Sequence, residues 1–439
     1  MNAPAKTQIV IVGGGAGGLV LARKLGAKLG SEHFDVILVD RNPTHIWKPL
    51  LHEVATGSLD ANLDEVGYRN HGHRWNYRFF LGSLDGIDRQ RQEVLIAPIA
   101  DEDGSELISA HRIRYDYLVL AFGAISNDFG VPGVRHHALF LDSRDQADRF
   151  RKKLLNHCLR VSRAVAQDPN TQASVKVAIV GAGATGVELA AELFNAAAGL
   201  RHYGLEVFDD QRLRVTLLES GPRILPALTE GLAEAAHQEL GQLGVEVRTA
   251  ARVVGVEAGR LLTADAGPIE ADLIVWAAGV KGPDLADHLS DLETTAHRQL
   301  VTRPTLQTTR DERIFCIGDC AFFKPPGEER PVPPRAQSAA QMAEVAYHNI
   351  LRLIGGRPLV DFVYRDHGSL VSLSRYSTVG SLMGNLVGGR MAIEGRLARL
   401  VYVGLYRKHL LAVHGLLRGL VLIVVGHVNQ VVRPKLKLH

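Results

Sequence analysis

The chain has 439 residues, 46% apolar and 22% charged, with 44 glycines and a net charge of +3; this length supports two or three cores, and the composition excludes a disordered or collagen-like protein. Three cysteines, an odd number, fit a reducing compartment better than a disulfide framework. The positive charge is concentrated at one end: residues 395–439 hold eight Lys or Arg and no Asp or Glu, so the remainder is net acidic, and nothing in that balance points to nucleic acid.

The N-terminal stretch MNAPAKTQIVIVGGG has only Ile9 to Val12 as an apolar run, too short for a signal peptide, so no secretion is expected. That run reads as a buried strand. It leads into Gly13, Gly15 and Gly18, spaced G-x-G-x-x-G at the start of a helix, and the next apolar run, Val36 to Val39, ends in Asp40. Such glycines allow a tight turn, close approach of a pyrophosphate and close helix packing, while the acid accepts from a ribose hydroxyl, so the segment predicts a dinucleotide site. The segment RNPTHIWKPLLHEVATGSLD that follows contains no cysteine. An apolar run then closes the first unit as DYLVLAFG, residues 116–123.

The pattern returns after a helical stretch that carries Cys158, read as a buried structural thiol. Gly181, Gly183 and Gly186 follow the strand Val177 to Val180, the strand Val215 to Leu218 ends in Glu219, and DLIVWAAG repeats the closing segment at residues 272–279. The recurrence predicts a duplicated domain, and two dinucleotide sites in one chain predict hydride traffic between two different dinucleotides. Glu219 would bond a free 2′-hydroxyl and repel a 2′-phosphate, favouring NADH over NADPH, with Arg223 nearby as a counterweight.

Next comes RIFCIGDCAFF, a short strand ending in Gly318 and Asp319. Cys316 and Cys320 flank that pair and are expected to be packing residues; no metal site is expected. In PPRAQSAAQMAEVAYHNI, Pro334 suits the first turn of a helix, on which Gln337 and Gln341, four apart, share a face with small residues between them. Glutamine amides can donate to quinone carbonyls without adding charge. Near the end, Gly419 to Val432 is uncharged but only fourteen residues long, too short to span a bilayer. Treated as one continuous helix, the upstream stretch places Arg396, Arg399, Arg407, His414 and Arg418 on one arc amid Leu, Val and Tyr. This predicts an amphipathic helix lying in a membrane interface with its basic face on anionic headgroups.

With the two glycine units and RIFCIGDCAFF together the chain resembles the two-dinucleotide-domain flavoproteins, and with WKPLLHEVATG, AQSAAQ and MAIEGRLARLVYVGLYRKHLLAVHG it resembles the bacterial type II NADH:quinone dehydrogenases over essentially the whole length. The resemblance implies an α/β fold of two Rossmann-like dinucleotide-binding domains, the second inserted in the first, plus a C-terminal amphipathic helical membrane anchor. The expected boundaries are residues 1–142 and 300–385 for the FAD domain, 143–299 for the NADH domain and 386–439 for the anchoring region. It implies non-covalent FAD held by Gly13, Gly15, Gly18, Asp40, Lys48, Gly123, Gly318, Asp319 and Ala336, and NADH held by Gly181, Gly183, Gly186, Glu188, Glu219 and Gly279. Glu188 is implied to sit near the nicotinamide, and Gln337 and Gln341 to serve the quinone. In place of the superfamily's Ala-Thr-Gly turns stand Ala121-Phe122-Gly123 and Ala277-Ala278-Gly279, which keep the glycine.

The expected activity is a respiratory NADH:quinone oxidoreductase without proton pumping, peripheral on the cytoplasmic face of the inner membrane, docked on anionic lipid through residues 395–439. A homodimer and the quinone's identity stay open. The alternatives are a membrane-associated NADH-responsive flavoprotein sensor and a sulfide:quinone oxidoreductase, the latter disfavoured by the missing cysteines.

Overall fold

Thr7–Val12 forms the middle strand of a five-stranded parallel sheet, and its Ile9, Val10 and Ile11 are wholly buried. A parallel strand covered on both faces reads as an unbroken apolar run, which is why the sequence shows no alternation here. The sheet order is Ile314–Cys316, Tyr117–Leu120, Thr7–Val12, Phe34–Asp40, Arg78–Leu81. Ile9 pairs with Tyr117 and Val36, and Leu118 with Ile314, so a late strand completes a sheet begun at the N terminus. The structure is a computed structural model that describes residues 6–101, 103–200, 212–265, 267–289, 291–373, 377–384 and 389–432.

A second parallel sheet has the order Leu273–Trp276, Val175–Val180, Leu213–Leu218, Val245–Arg248. Position for position this is the order of the first sheet without its late edge strand. Each sheet has a glycine turn between its central strand and the following helix, Gly18–Leu29 in one and Ala184–Leu200 in the other. The duplication seen in the motifs is therefore a duplication of topology.

By its contacts the chain divides into two units. The first runs to Trp47 and continues over Glu65–Ile125 and Lys281–Arg365; the second comprises Lys48–Asp64, Ser126–Val280 and Asp366 onward. The first holds the five-stranded sheet and the helix Ala336–Ile354. The second holds the four-stranded sheet, the long helix Arg144–Gln167 and the C-terminal elements. Ser143 caps that long helix by accepting from the Gln146 amide, and Ala147, Phe150, Leu154, Cys158 and Val161 form its buried face.

At the C terminus three antiparallel strands, Gly368–Leu373, Ser377–Gly384 and Gly389–Glu394, lead into the helix Gly395–His414. The continuous helix expected through Arg418 is broken. Gly415 takes φ +79°, a left-handed conformation that stops a helix, and a second helix, Leu416–Val432, starts beyond it. Arg418 therefore lies on a different helix from Arg396, Arg399 and Arg407. Large apolar side chains of the last helix face water, among them Leu416, Leu417, Leu420, Val421, Val424 and Val428, each at least half exposed. No described helix is long and apolar enough to cross a membrane. Of the expected lipid-facing charges, Arg433, Lys435 and Lys437 lie outside the described residues.

Candidate functional site: two glycine cradles and a buried acid

In the first unit Gly13 has φ +105°, and a Cβ there would lie 2.3 Å from the Ala121 carbonyl oxygen. A Cβ on Gly18 would lie 1.8 Å from the Gly13 carbonyl oxygen, whereas one on Gly15 would meet nothing within 4 Å. Gly13 and Gly18 thus make the turn tight, and Gly15 leaves an open space. The loop opens at a helix N terminus, Gly17, that has no side-chain cap. Open space beside uncapped amides is the cradle a pyrophosphate requires, so these residues fit the ADP half of FAD. Asp40 accepts from the Gly14 amide at 2.7 Å and from the Asn42 amide at 2.8 Å, which holds the acid at the rim of the loop. Two residues that the motif does not reveal brace the loop from below: the Tyr68 hydroxyl donates to the Gly14 carbonyl at 2.8 Å, and His45 Nδ1 lies 2.9 Å from the same oxygen.

The late strand brings Gly318 and Asp319 to this unit. Gly318 has φ +76°, and its amide donates to Met342 Sδ on the helix Ala336–Ile354 at 3.3 Å. Gln299 Nε2 donates to the Asp319 carbonyl at 3.0 Å. The helix begins at Ala336 with Arg335 as its extended N-cap, so Pro334 stands outside the first turn, where a sequence reading would have put it inside. Ser338 Oγ donates to the Pro333 carbonyl at 2.7 Å and fixes that entry. Both glutamines are half-buried on this helix. Gln341 is already engaged: its Nε2 donates to the Arg365 carbonyl at 2.8 Å, and its Oε1 accepts from the Arg365 amide at 3.0 Å.

The second unit repeats the geometry. Gly181 has φ +100°, a Cβ on Gly186 would lie 2.0 Å from the Gly181 carbonyl oxygen, and Gly183 again faces open space. Glu219 accepts from the Ala182 amide at 2.9 Å and from the Gly221 amide at 2.8 Å, matching Asp40. Arg223 is engaged by the backbone, donating to the Leu225, Leu228 and Pro226 carbonyls. The turn glycines Gly123 and Gly279 both adopt positive φ, +74° and +60°. Lys48 opens the short turn Lys48–Leu50, which runs directly into the helix Leu51–Thr56.

Glu188, in the second turn of the helix Ala184–Leu200, is 7% exposed. Its Oε1 accepts from the Ser372 amide at 3.1 Å, and its Oε2 lies 3.6 Å from Nδ1 of the buried His52. Burial pushes the Glu188 carboxyl up to about 8, opposed by the Ser372 bond and helped by Glu53 and Glu192. Burial also pulls His52 down to about 4, against a hydrogen bond to the Pro49 backbone. The favoured state at neutral pH is a carboxylic acid beside a neutral imidazole. Next to this pair Glu192 accepts from Asn195 at 2.6 Å and from Ser58. His52 stood in plain sight within WKPLLHEVATG, but its partner is remote in sequence and no local signal marks the pairing.

Cys158, Cys316 and Cys320 are free and buried, with 3.7 Å between the Sγ atoms of the last two. Among the described residues no group of three or more His, Cys, Asp or Glu could hold a metal ion.

Two parallel sheets that share one order over four strands, each with a glycine cradle fit for a pyrophosphate and a terminal acid, define an oxidoreductase that uses both a flavin and a nicotinamide dinucleotide. The signature of the pyridine nucleotide-disulphide oxidoreductases matches residues 7–343. The type II NADH:quinone oxidoreductase of Haemophilus influenzae is 45% identical over 98% of this chain and 99% of its own length. That of Staphylococcus aureus is 29% identical over 88% of this chain and 92% of its own. The chain belongs to the type II NADH:quinone oxidoreductases, within the pyridine nucleotide-disulphide oxidoreductase family. Among solved structures, NDH2 from Plasmodium falciparum in complex with NADH superposes with a TM-score of 0.81 at 19% identity, covering 99% of this chain and all of that one. The sulfide:quinone oxidoreductase of Aquifex aeolicus gives 0.71 at 17% identity, over 97% of this chain and 95% of that one, which is a likeness of fold.

Proposed function

We propose that this protein oxidises NADH and reduces a membrane quinone, one proton from water joining the hydride so that NADH and quinone leave as NAD+ and quinol. The observation that carries this reading is the paired cradle, one in each unit, in a chain alike throughout its length to a relative of that name. FAD, when bound, supplies the two-electron carrier between the substrates. Gly13, Gly15, Gly18, Asp40, Gly318 and Asp319 would hold it, with Lys48, Gly123 and Ala336 completing the set. Gly181, Gly183, Gly186, Glu219 and Gly279 would hold NADH, and the tethering of Arg223 to backbone carbonyls supports a preference over NADPH.

With FAD bound, most of the rate enhancement would come from positioning the reactants rather than from side-chain chemistry. Quinol formation is the step that calls for an acid, and Glu188, kept protonated by burial, is suited to hold that proton beside His52. Gln337 and Gln341 are the residues we assign to the quinone carbonyls, with Gln341 exchanging its Arg365 bonds for the substrate. We assign residues 1–142 and 300–385 to FAD, 143–299 to NADH, and 386–439 to peripheral anchoring on the cytoplasmic face. The water-facing Leu and Val side chains of the last helix support that anchoring, and a homodimer through the same face is its rival.

The test is flavin absorbance under anaerobic conditions, adding NADH and then a short-chain quinone. Bleaching followed by recovery is expected. Bleaching without recovery would leave the two dinucleotide assignments standing and move the acceptor elsewhere, toward a sensor.

A further inference from the structure

The helix Arg144–Gln167 has a face that the reaction does not use. At 100° per residue Arg149, Lys152, Lys153, Arg160 and Arg163 fall within an arc of about 100°, opposite the buried Ala147, Phe150, Leu154, Cys158 and Val161. All five cations are exposed. Asn156 and Gln167 fill the rest of the stripe, and no acid occurs on this helix after Asp148. Asp145 shares the face one turn before Arg149, while Asp148, to the side, is occupied by Arg144 and Arg151. None of the five cations forms an ion pair among the described residues, although exposed arginines elsewhere on this protein do pair with carboxylates, as Arg78 does with Asp35 and Arg112 with Glu93. Fourteen residues separate the first and last of them, so the stripe is about 21 Å long.

We propose that this basic stripe is a second membrane contact, taking the phosphate headgroups of anionic lipid, separate in sequence from the C-terminal helices. The proposal rests on the membrane-quinone reading above. Its occupant follows from what the stripe contains and lacks. A protein partner would need a buried apolar or aromatic centre to supply affinity, yet the large apolar side chain exposed on this helix is Leu159 alone, at the edge of the arc. A straight row of cations on a rigid helix matches a surface of uniform negative charge, to which each Lys or Arg contributes independently, roughly fivefold in affinity. Arginine and lysine both serve here, because a headgroup layer presents no fixed geometry for a bidentate fork to match. The stripe would work with the apolar last helix, one by charge and the other by insertion, as stable anchoring requires two signals.

The test uses the full-length holoenzyme, sedimented with vesicles of phosphatidylcholine alone or mixed with phosphatidylglycerol. The wild type should prefer the mixed vesicles, and added salt should erase that preference, a measurement that needs no variant. The combined variant Lys152→Glu, Lys153→Glu, Arg160→Glu, Arg163→Glu should lose the preference by roughly a hundredfold or more, while still binding neutral vesicles. Flavin content and turnover with a water-soluble quinone report whether it has folded; if it has not, the milder set of four Gln substitutions replaces it, with an effect in the same direction. A folded variant that keeps the wild-type preference overturns the proposal. So does an unchanged preference accompanied by a raised KM for NADH, which would give the stripe to the dinucleotide. Wild type that binds both vesicles equally overturns the stripe and leaves the membrane reading intact. Wild type that binds neither overturns both.

Discussion

Two alanine substitutions in a single loop should fail in different ways. A Cβ at residue 18 would stand 1.8 Å from the Gly13 carbonyl oxygen, at least 1.2 Å inside the closest approach real side chains show, and the obstacle is backbone. Gly18→Ala therefore forces the turn or the helix Gly18–Leu29 to move, at a cost of about 3 kcal/mol, the upper end for overpacking, because no rotamer change relieves it. At residue 15 the added methyl meets nothing within 4 Å and the backbone is unstrained. Gly15→Ala should leave the flavin-free fold within about 0.5 kcal/mol of wild type. The methyl would occupy the space proposed for the pyrophosphate, so FAD should bind roughly 10- to 100-fold more weakly, a loss of about 1.4 to 2.7 kcal/mol. Urea denaturation of flavin-stripped protein, paired with FAD titration by quenching of flavin fluorescence, separates the two quantities. Gly15→Ala protein that takes up FAD as tightly as wild type, or Gly18→Ala protein with unchanged stability, would show that the cradle has been misread.

The buried acid predicts a pH signature. Because the Glu188 carboxyl is raised from 4.5 to about 8, its stabilising contribution is complete below pH 4.5 and drains away as pH rises to 8, at up to about 1.4 kcal/mol per unit. Thermal midpoints of Glu188→Gln and wild type should therefore diverge in the variant's favour across that window; parallel curves would refute the neutral acid. Glu219→Gln should narrow the kcat/KM preference for NADH over NADPH by about tenfold, since the charge we assign to the 2′ position is lost; an unaltered ratio would place discrimination elsewhere. Truncation before Gly395 should leave NADH able to bleach the flavin while turnover with quinone embedded in vesicles collapses. Undiminished vesicle activity would remove the anchor.

Much of this was legible in the sequence because it is local. Parallel strands announce themselves as Ile and Val runs, and a turn that only glycine can make must show its glycines in a fixed spacing, so Gly13 and Gly181 were identifiable at once. Contacts between distant segments left no such trace. Glu188 was nameable, yet its burial against His52 and the Ser372 amide comes from tertiary packing. Tyr68 and His45, which brace the first loop through one carbonyl oxygen, belong to no motif. The tail misled in one respect: a charge pattern drawn around a continuous helix ignored Gly415, whose left-handed backbone ends one helix and allows the next to start on a new axis. Pro334 misled in another, because Arg335 is extended and the helix starts at Ala336, two residues after the proline.

Docking on lipid through the uncovered Leu and Val of Leu416–Val432, as proposed above, would change what a substrate concentration means for this enzyme. A protein that lies on a lipid film meets quinone as a mole fraction of that film, so diluting the vesicles at fixed composition should leave the rate per bound enzyme untouched, while adding inert lipid should lower it. An apparent KM quoted in molar units would then describe the experimenter's lipid as much as the protein. NADH, arriving from solution, would keep an ordinary volume concentration, and the two substrates of a single turnover would be counted in different dimensions.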